Sequence, residues 1–307
     1  MIQFIHMYRL VFLLTYPLLY LVSILPFRVL YALSDFLYII IYYVVGYRKK
    51  VVRNNLKLAY PKATSKELLS LEKRFYHHFV DVFMEMAKTF TVSEKKLLKR
   101  FKYENVELLE RLEKEGRSVA LMAAHYGNWE WATILGNMVS KPVIGAFTKV
   151  SNPYYNQKLI DSRTRYGSLV LESKKFIPMV IENHKKNQQA SYVLISDQSP
   201  AKGKIYHFER FLGQNVPVHT GGEILARKFD MAVVFVDVQK TGRGRYKAKL
   251  ELITETPNKL EEFEITKRYT RLTERQIERD PAFYFWSHNR FKHKDKTHLV
   301  RTDDKVK

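Results

Sequence analysis

The chain has 307 residues, 46% of them hydrophobic and 27% charged, and no cysteine, which excludes disulfides, thiolate metal ligands and a cysteinyl acyl-enzyme. Lys and Arg number 52 against 31 Asp and Glu, a formal charge of +21 that concentrates anionic partners at the surface: nucleic acid, an anionic membrane, or an acidic protein or substrate. The length suits one large domain plus an anchor.

The first apolar run, Leu10 to Phe27, carries no charge, is flanked by Arg9 and Arg28, and is just long enough to cross a bilayer. A second run, Val29 to Gly46, is interrupted by Asp35 and rich in tyrosine, a residue of the headgroup level. With only Phe27 and Arg28 at the junction there is no room for a transmembrane hairpin, so the second run reads as an interfacial or partly embedded helix. Ala32 and Ser34 mimic a signal-peptide cleavage site, but the apolar stretch is long for a signal and an anchor is expected. Arg48, Lys49, Lys50 and Arg53 follow, which by the positive-inside rule places the bulk of the chain on the cytoplasmic side. Residues 1–47 are thus read as anchor and interfacial helix, 48–292 as the main domain, and 293–307 as a basic, mobile tail.

Between Lys66 and Ala87, Leu68, Leu71, Phe75, Phe79, Val82, Phe83 and Met86 recur at helical spacing and predict an amphipathic helix. From residue 117 short apolar runs alternate with helical ones. Strands are expected over Ser118–Ala124, Val143–Phe147, Ser168–Leu171, Tyr192–Ser196 and Ala232–Val238. Helices are expected over Asn128–Val139, Tyr154–Arg165, Phe176–Lys186 and Gly221–Phe229. That alternation implies βαβ units, hence an α/β fold with a mixed, largely parallel sheet flanked by helices and its sites beyond the carboxyl ends of the strands. Tyr246–Ile253 alternates with period two and reads as a later, edge strand. Glu261–Arg279 reads as a charged helix stopped at Asp280-Pro281.

The chemistry-bearing segment is SVALMAAHYGNWEWA, Ser118 to Ala132. A strand ends at Ala124, His125 follows, Gly127 permits a tight turn, and Asn128 is a good N-cap for a helix whose first turn holds Glu130. An imidazole titrating near neutrality can take a proton from an attacking hydroxyl while a carboxylate on its other nitrogen fixes the tautomer, with the substrate's own hydroxyl as nucleophile. His298 and Asp303 share the His125–Glu130 spacing but lie in the polar tail. The residues alone leave open whether His125 is catalytic or a structural histidine near a helix start.

HYGNWE resembles the HFGNWE-type block of the bacterial lipid A secondary (late) acyltransferases, lauroyl and myristoyl transferases that share a His, four residues, then Asp or Glu. RKKVVRNNLKLAYP (Arg48 to Pro61), NPYYNQKLIDSRTRYG (Asn152 to Gly167), SDQSP (Ser196 to Pro200), FLGQNVPVHTGGEILARK (Phe211 to Lys228) and FYFWSHNRFK (Phe283 to Lys292) look like that family's blocks in the same order, nearly end to end. Tyr126 stands where Phe is common, and FLG at Phe211 to Gly213 where FFG is usual.

The resemblance implies a glycerol-3-phosphate acyltransferase-like fold with an N-terminal membrane-anchoring region. It also implies transfer of a fatty acyl group from an acyl carrier protein thioester to a hydroxyl of a phosphorylated glycolipid, the lipid A precursor, at the bacterial inner membrane. No cofactor and no metal are implied. His125 would be the general base and Glu130 its orienting partner. Arg163 would stabilise the tetrahedral oxyanion; the alternative for it is a solvated charge on a helix face. Asn128, Asn152, Asp197, Thr220 and Arg290 are candidate substrate-binding residues. For Asn152 and Asp197 helix capping and turn closure compete with chemistry, and the Thr220-Gly221-Gly222 helix start could approach an anionic group.

Trp286, Arg290 and Lys292 are expected near phosphates or headgroups. His288, His293 and His298 do not share a helix face and are not read as metal ligands. Another acceptor, such as a lysophospholipid or aminolipid, is the alternative within acyltransferases. Nucleic-acid binding is disfavoured because the aromatics gather in the apolar N-terminal third instead of alternating with lysines. A membrane scaffold without catalysis is the remaining class.

Overall fold

The computed structural model of the chain describes residues 2–301. Helix α1 (Ile2–Ile24) stops short of Pro26, and α2 (Phe27–Ile39) restarts at once and continues as a π-helical turn, Ile40–Val45. Helices α3 (Lys49–Ala59) and α4 (Ser65–Lys88) follow. α4 starts on a capping box, in which Thr64 Oγ1 accepts from Glu67 N at 3.3 Å and Glu67 Oε2 from Thr64 N at 2.7 Å. Short elements α5 (Glu94–Leu98), β1 (Phe101–Glu104) and α6 (Glu107–Lys114) lead into β2 (Val119–Ala123).

The alternating part continues with β3 (Val143–Phe147), α7 (Pro153–Thr164), β4 (Ser168–Glu172), α8 (Ser173–Lys185) and β5 (Ser191–Ile195). A hairpin of β6 (His207–Phe211) and β7 (Gln214–Val218) precedes α9 (Gly221–Lys228), β8 (Ala232–Gly242), β9 (Arg245–Thr254) and α10 (Glu264–Arg279). The expected strands and helices of this part match within a few residues, apart from the segment after His125.

The main sheet has the order β1-β9-β8-β2-β5-β3-β4. β8, β2, β5, β3 and β4 run parallel, β9 runs antiparallel to β8, and β1 pairs parallel with β9. Parallel strands need crossovers that cover both faces, and β2 accordingly buries consecutive residues. Val119 and Leu121 join one core with Trp131, Val234 and Leu250, while Ala120 and Met122 join a second with Phe176, Tyr192 and Phe235. Each fully buried side chain of this kind contributes about 1.5–3 kcal/mol.

Three expectations are corrected. β9 is not an edge strand, because β1, too short to show periodicity, covers it. The segment after Asn128 forms a tighter 3-10 helix, Trp131–Asn137, in place of an α-helix over Asn128–Val139. The chain beyond Lys292 is held to the body through Arg301: Asp295 N donates to Asn215 O at 2.9 Å and Arg301 N to Ile205 O at 2.8 Å. The rest of that expected tail lies outside the described residues.

The 3-10 segment comes so close to the turn before β4 that a Cβ on Gly136 would sit 2.2 Å from Ser168 N and 2.3 Å from Gly167 C. Backbone cannot yield as a flexible side chain can. Gly136→Ala is therefore expected to cost at least the roughly 1–3 kcal/mol of an overpacked core, read as a lowered midpoint of thermal unfolding in detergent; an unchanged midpoint would contradict the close approach.

Candidate active site

Neighbouring parallel strands put residues at equal offsets side by side. β2 and β5 are aligned with Ala123 opposite Ile195, so two residues further on His125 comes opposite Asp197. The side chains meet there: His125 Nδ1 lies 2.7 Å from Asp197 Oδ1. The Asp197 side chain is 1% exposed and that of His125 22%, so the carboxylate is sealed below while the ring reaches the surface of the site. Between His125 and the next helix Gly127 adopts φ +61°, and a Cβ there would press on Val238 Cγ1 at 3.1 Å and Tyr246 Cδ1 at 3.3 Å. Glycine is required on both counts.

The segment Phe283–His288 straps the two loops together. Phe285 N donates to His125 O at 3.1 Å, Gly127 N to Phe283 O at 2.9 Å, and Ser199 N to His288 Nε2 at 3.1 Å. The strap is held in turn by α3, where Asn55 Nδ2 donates to Trp286 O at 2.8 Å and His288 O at 2.6 Å. Beneath the turn, buried Glu85 of α4 accepts from Asn128 Nδ2 and Tyr246 OH, each at 2.8 Å, and its backbone carbonyl accepts from Trp131 Nε1 at 3.1 Å.

Electrostatics follow from burial and charge. Burial pulls the His125 pKa down, but the Asp197 carboxylate more than offsets this and leaves it above the ordinary histidine value. Burial likewise pushes Asp197 up, and the opposing pull of His125 holds it below the usual carboxylate range. His288 is lowered to about 4, chiefly by burial, so it stays neutral and accepts the Ser199 amide.

The carboxylate expected on His125, that of Glu130, lies instead on Arg163. The pair is bidentate: Arg163 Nε donates to Glu130 Oε1, and Nη2 to Oε2 at 2.9 Å. The guanidinium also stands 5.8 Å over the ring of Phe147, the last residue of β3, so this pair too belongs to the carboxyl edge of the sheet.

Of the residues proposed to bind substrate, only Asp197 joins His125. Asn128 is buried, with Oδ1 accepting from Trp131 N at 3.0 Å and Nδ2 spent on Glu85. Asn152 caps α7, accepting from Tyr154 N at 3.0 Å and Tyr155 N at 3.3 Å, and donates to Tyr8 O at 2.9 Å. Thr220 is buried at the start of α9, where the first-turn Glu223 carboxylate already supplies negative charge and accepts from Phe263 N at 2.8 Å and Thr266 N at 2.9 Å.

Arg290 and Trp286 do not reach headgroups. Arg290 is buried, donates to Pro217 O at 2.9 Å and lies 4.9 Å over the Phe211 ring; burial lowers its pKa, and Tyr284 and Asp197 oppose that effect. Trp286 is buried with Nε1 on Pro281 O at 2.7 Å. Aromatic and basic residues compose a headgroup belt and a buried cation–ring contact equally well.

Beside His125 lies a narrow aromatic cleft with an accessible volume of about 10 Å³, lined by Phe75, Phe79, Phe83, Trp129, Phe283 and Phe285 among others. The His125 ring is 5.3 Å from Trp129 and 5.9 Å from Phe285. Phe285 stacks on Phe79 at 5.9 Å and Phe79 on Tyr47 at 5.8 Å, so an aromatic path leads from the imidazole to the end of the N-terminal apolar helices. Glu85, and the place of His288 and of the cleft rings at this site, are not legible in the sequence. The signal available for Asp197 was that it stands two residues past the apolar run of β5, as His125 stands two past that of β2.

A part-exposed imidazole with a buried carboxylate on Nδ1, at the carboxyl edge of a parallel sheet and next to a narrow apolar cleft, has the geometry by which an imidazole can take a proton from a hydroxyl. The family model of the bacterial lipid A biosynthesis acyltransferases matches residues 2–293. The chain belongs to this family and is an acyltransferase of lipid A biosynthesis. It is 23% identical over 275 residues to the lipid A biosynthesis lauroyltransferase of Escherichia coli (strain K12), covering 89% of each chain.

The Glu130–Arg163 pair is largely buried, so removing one partner strands a charge, at a cost of roughly 3–5 kcal/mol. Arg163→Met should lower the thermal midpoint sharply and Arg163→Met with Glu130→Met should recover most of the loss. Additive losses would show that the two side chains are not a pair in solution.

Proposed function

We propose that the enzyme transfers a fatty acyl group from an acyl carrier protein thioester to a hydroxyl of a phosphorylated lipid A precursor, with His125 as general base and no acyl-enzyme. The observation that carries this reading is the imidazole held by Asp197 beside the aromatic cleft. With Nδ1 engaged, Nε2 takes the proton of the acceptor hydroxyl as its oxygen attacks the thioester carbonyl. The tetrahedral oxyanion collapses, the C–S bond breaks, and the imidazolium returns the proton to the departing thiolate. Asp197 sets the tautomer and stabilises the imidazolium, the role first expected of Glu130. Arg163 Nη1, on the side of the fork not bound to Glu130, is assigned to a developing or resident negative charge.

The +21 charge favours both an acidic carrier and a phosphorylated acceptor. The basic cluster after the apolar helices supports placing the catalytic domain on the cytoplasmic face of the inner membrane.

Purified enzyme given an acyl carrier thioester and a panel of acceptors should acylate the lipid A precursor, and His125→Ala should lower kcat by about 10²–10⁴-fold. Turnover confined to a lysophospholipid or aminolipid would refute the assignment. The neutral base is the active form, so the acid limb of kcat/KM should fall at a pH above the ordinary histidine value. Asp197→Asn removes the group that raises the pKa, so the limb should move to lower pH while the plateau rate drops; a limb that stays put would contradict the pairing.

A further inference from the structure

Beyond Ile195 the pairing of β2 with β5 no longer guides the chain, and the loop that follows carries Asp197 and then Ser199-Pro200. A carboxylate two residues past a strand keeps its place only if the loop behind it is anchored. One anchor is an imidazole: Ser199 N donates to His288 Nε2 at 3.1 Å. A weaker one is the buried Tyr284 hydroxyl, which reaches Asp197 O at 3.4 Å. A backbone amide can only donate, so His288 Nε2 carries the lone pair and Nδ1 the proton. A protonated ring has two donors and no acceptor, and would lose the bond.

His288 is itself held from another direction. Asn55 Nδ2 of α3 donates to Trp286 O at 2.8 Å and His288 O at 2.6 Å, and Arg48 Nη1 donates to Ser287 O at 3.0 Å. Asn55, Trp286 and Ser287 are all buried. The backbone on which the ring stands is thus fixed by α3, independently of the loop that the ring grips.

The surroundings keep this imidazole neutral. Burial is the main cause and lowers its pKa to about 4; of the charged groups that face it, Asp197 opposes burial, while Lys292, Arg290 and His125 act with it. His125 titrates above the ordinary histidine value, so the acceptor on His288 is present wherever His125 changes charge.

We propose that His288 is a positioning residue, a fixed neutral acceptor that holds Ser199 and thereby keeps the Asp197 carboxylate on His125 Nδ1. It touches no reacting atom and acts through the 2.7 Å contact between Asp197 and His125. The inference rests on the reading of His125 as general base. Removing the acceptor leaves the Ser199 amide, on a residue 7% exposed, without its partner and releases the loop.

In His288→Ala, kcat should fall by roughly 10-fold, the upper value for one hydrogen bond, with KM little changed. The acid limb of kcat/KM should move to lower pH, because an imidazole less well paired with Asp197 titrates lower. His288→Gln, whose side-chain oxygen can accept the Ser199 amide, should restore both rate and limb. A limb that stays in place in His288→Ala while the thermal midpoint falls would show structural support only and overturn the proposal, as would a His288→Gln enzyme no better than His288→Ala. The His125 pKa, followed by NMR in the same variants, needs no turnover. A downward shift in His288→Ala supports the positioning role even if His125→Ala retains activity, a result that would remove only the general-base reading. Should His288→Ala fail to fold, nitrogen NMR of the unsubstituted enzyme decides: near neutral pH His288 should carry its proton on Nδ1, and a proton on Nε2 would overturn the proposal.

Discussion

The site depends on the register between β2 and β5. Parallel strands hold residues at equal offsets side by side, and this register places a part-exposed imidazole on a sealed carboxylate. Shift either strand by one residue and His125 would face a different side of the sheet from Asp197. The surrounding features serve that alignment. Gly127 lets the chain turn away directly behind His125, and the Phe283–His288 strap ties the His125 backbone to the loop that carries Asp197.

α4 connects this chemistry to the lipid side. On one part of its surface Glu85 fixes the turn after His125, on another Glu72 and Asp81 receive polar groups of α2 and the turn that follows it, and at its end Lys88 binds the last carbonyls around α1. Its Phe75, Phe79 and Phe83 form one wall of the cleft. Burying carboxylates on a helix is costly unless each is hydrogen-bonded. Here they are: Glu85 alone accepts from Tyr31, Asn128 and Tyr246. The apolar helices are therefore structural partners of the rest of the fold as much as candidate membrane anchors.

Much of the fold was legible because strands buried on both faces appear as unbroken apolar runs, and β2, β3 and β5 have that form. The family blocks were equally plain. Contacts set by register or by partners distant in sequence were not. Glu130 was chosen for His125 because it is near in sequence, whereas the carboxylate that arrives, Asp197, is separated from it by three strands' worth of chain. Likewise the four-residue β1 gave no periodic signal, so β9 read as an edge. Arg290 and Trp286 carry the composition of an interfacial belt but are consumed inside the fold by Phe211, Pro217 and Pro281.

The central claim is that Asp197, and not Glu130, holds the imidazole of the proposed base, His125. The most direct measurement is an NMR titration of His125 in the detergent-solubilised enzyme, compared with Asp197→Asn and Glu130→Gln. The account predicts a His125 pKa above the ordinary value, lost in Asp197→Asn and retained in Glu130→Gln. The opposite pattern, with the pKa unmoved by Asp197→Asn and lowered by Glu130→Gln, would contradict it.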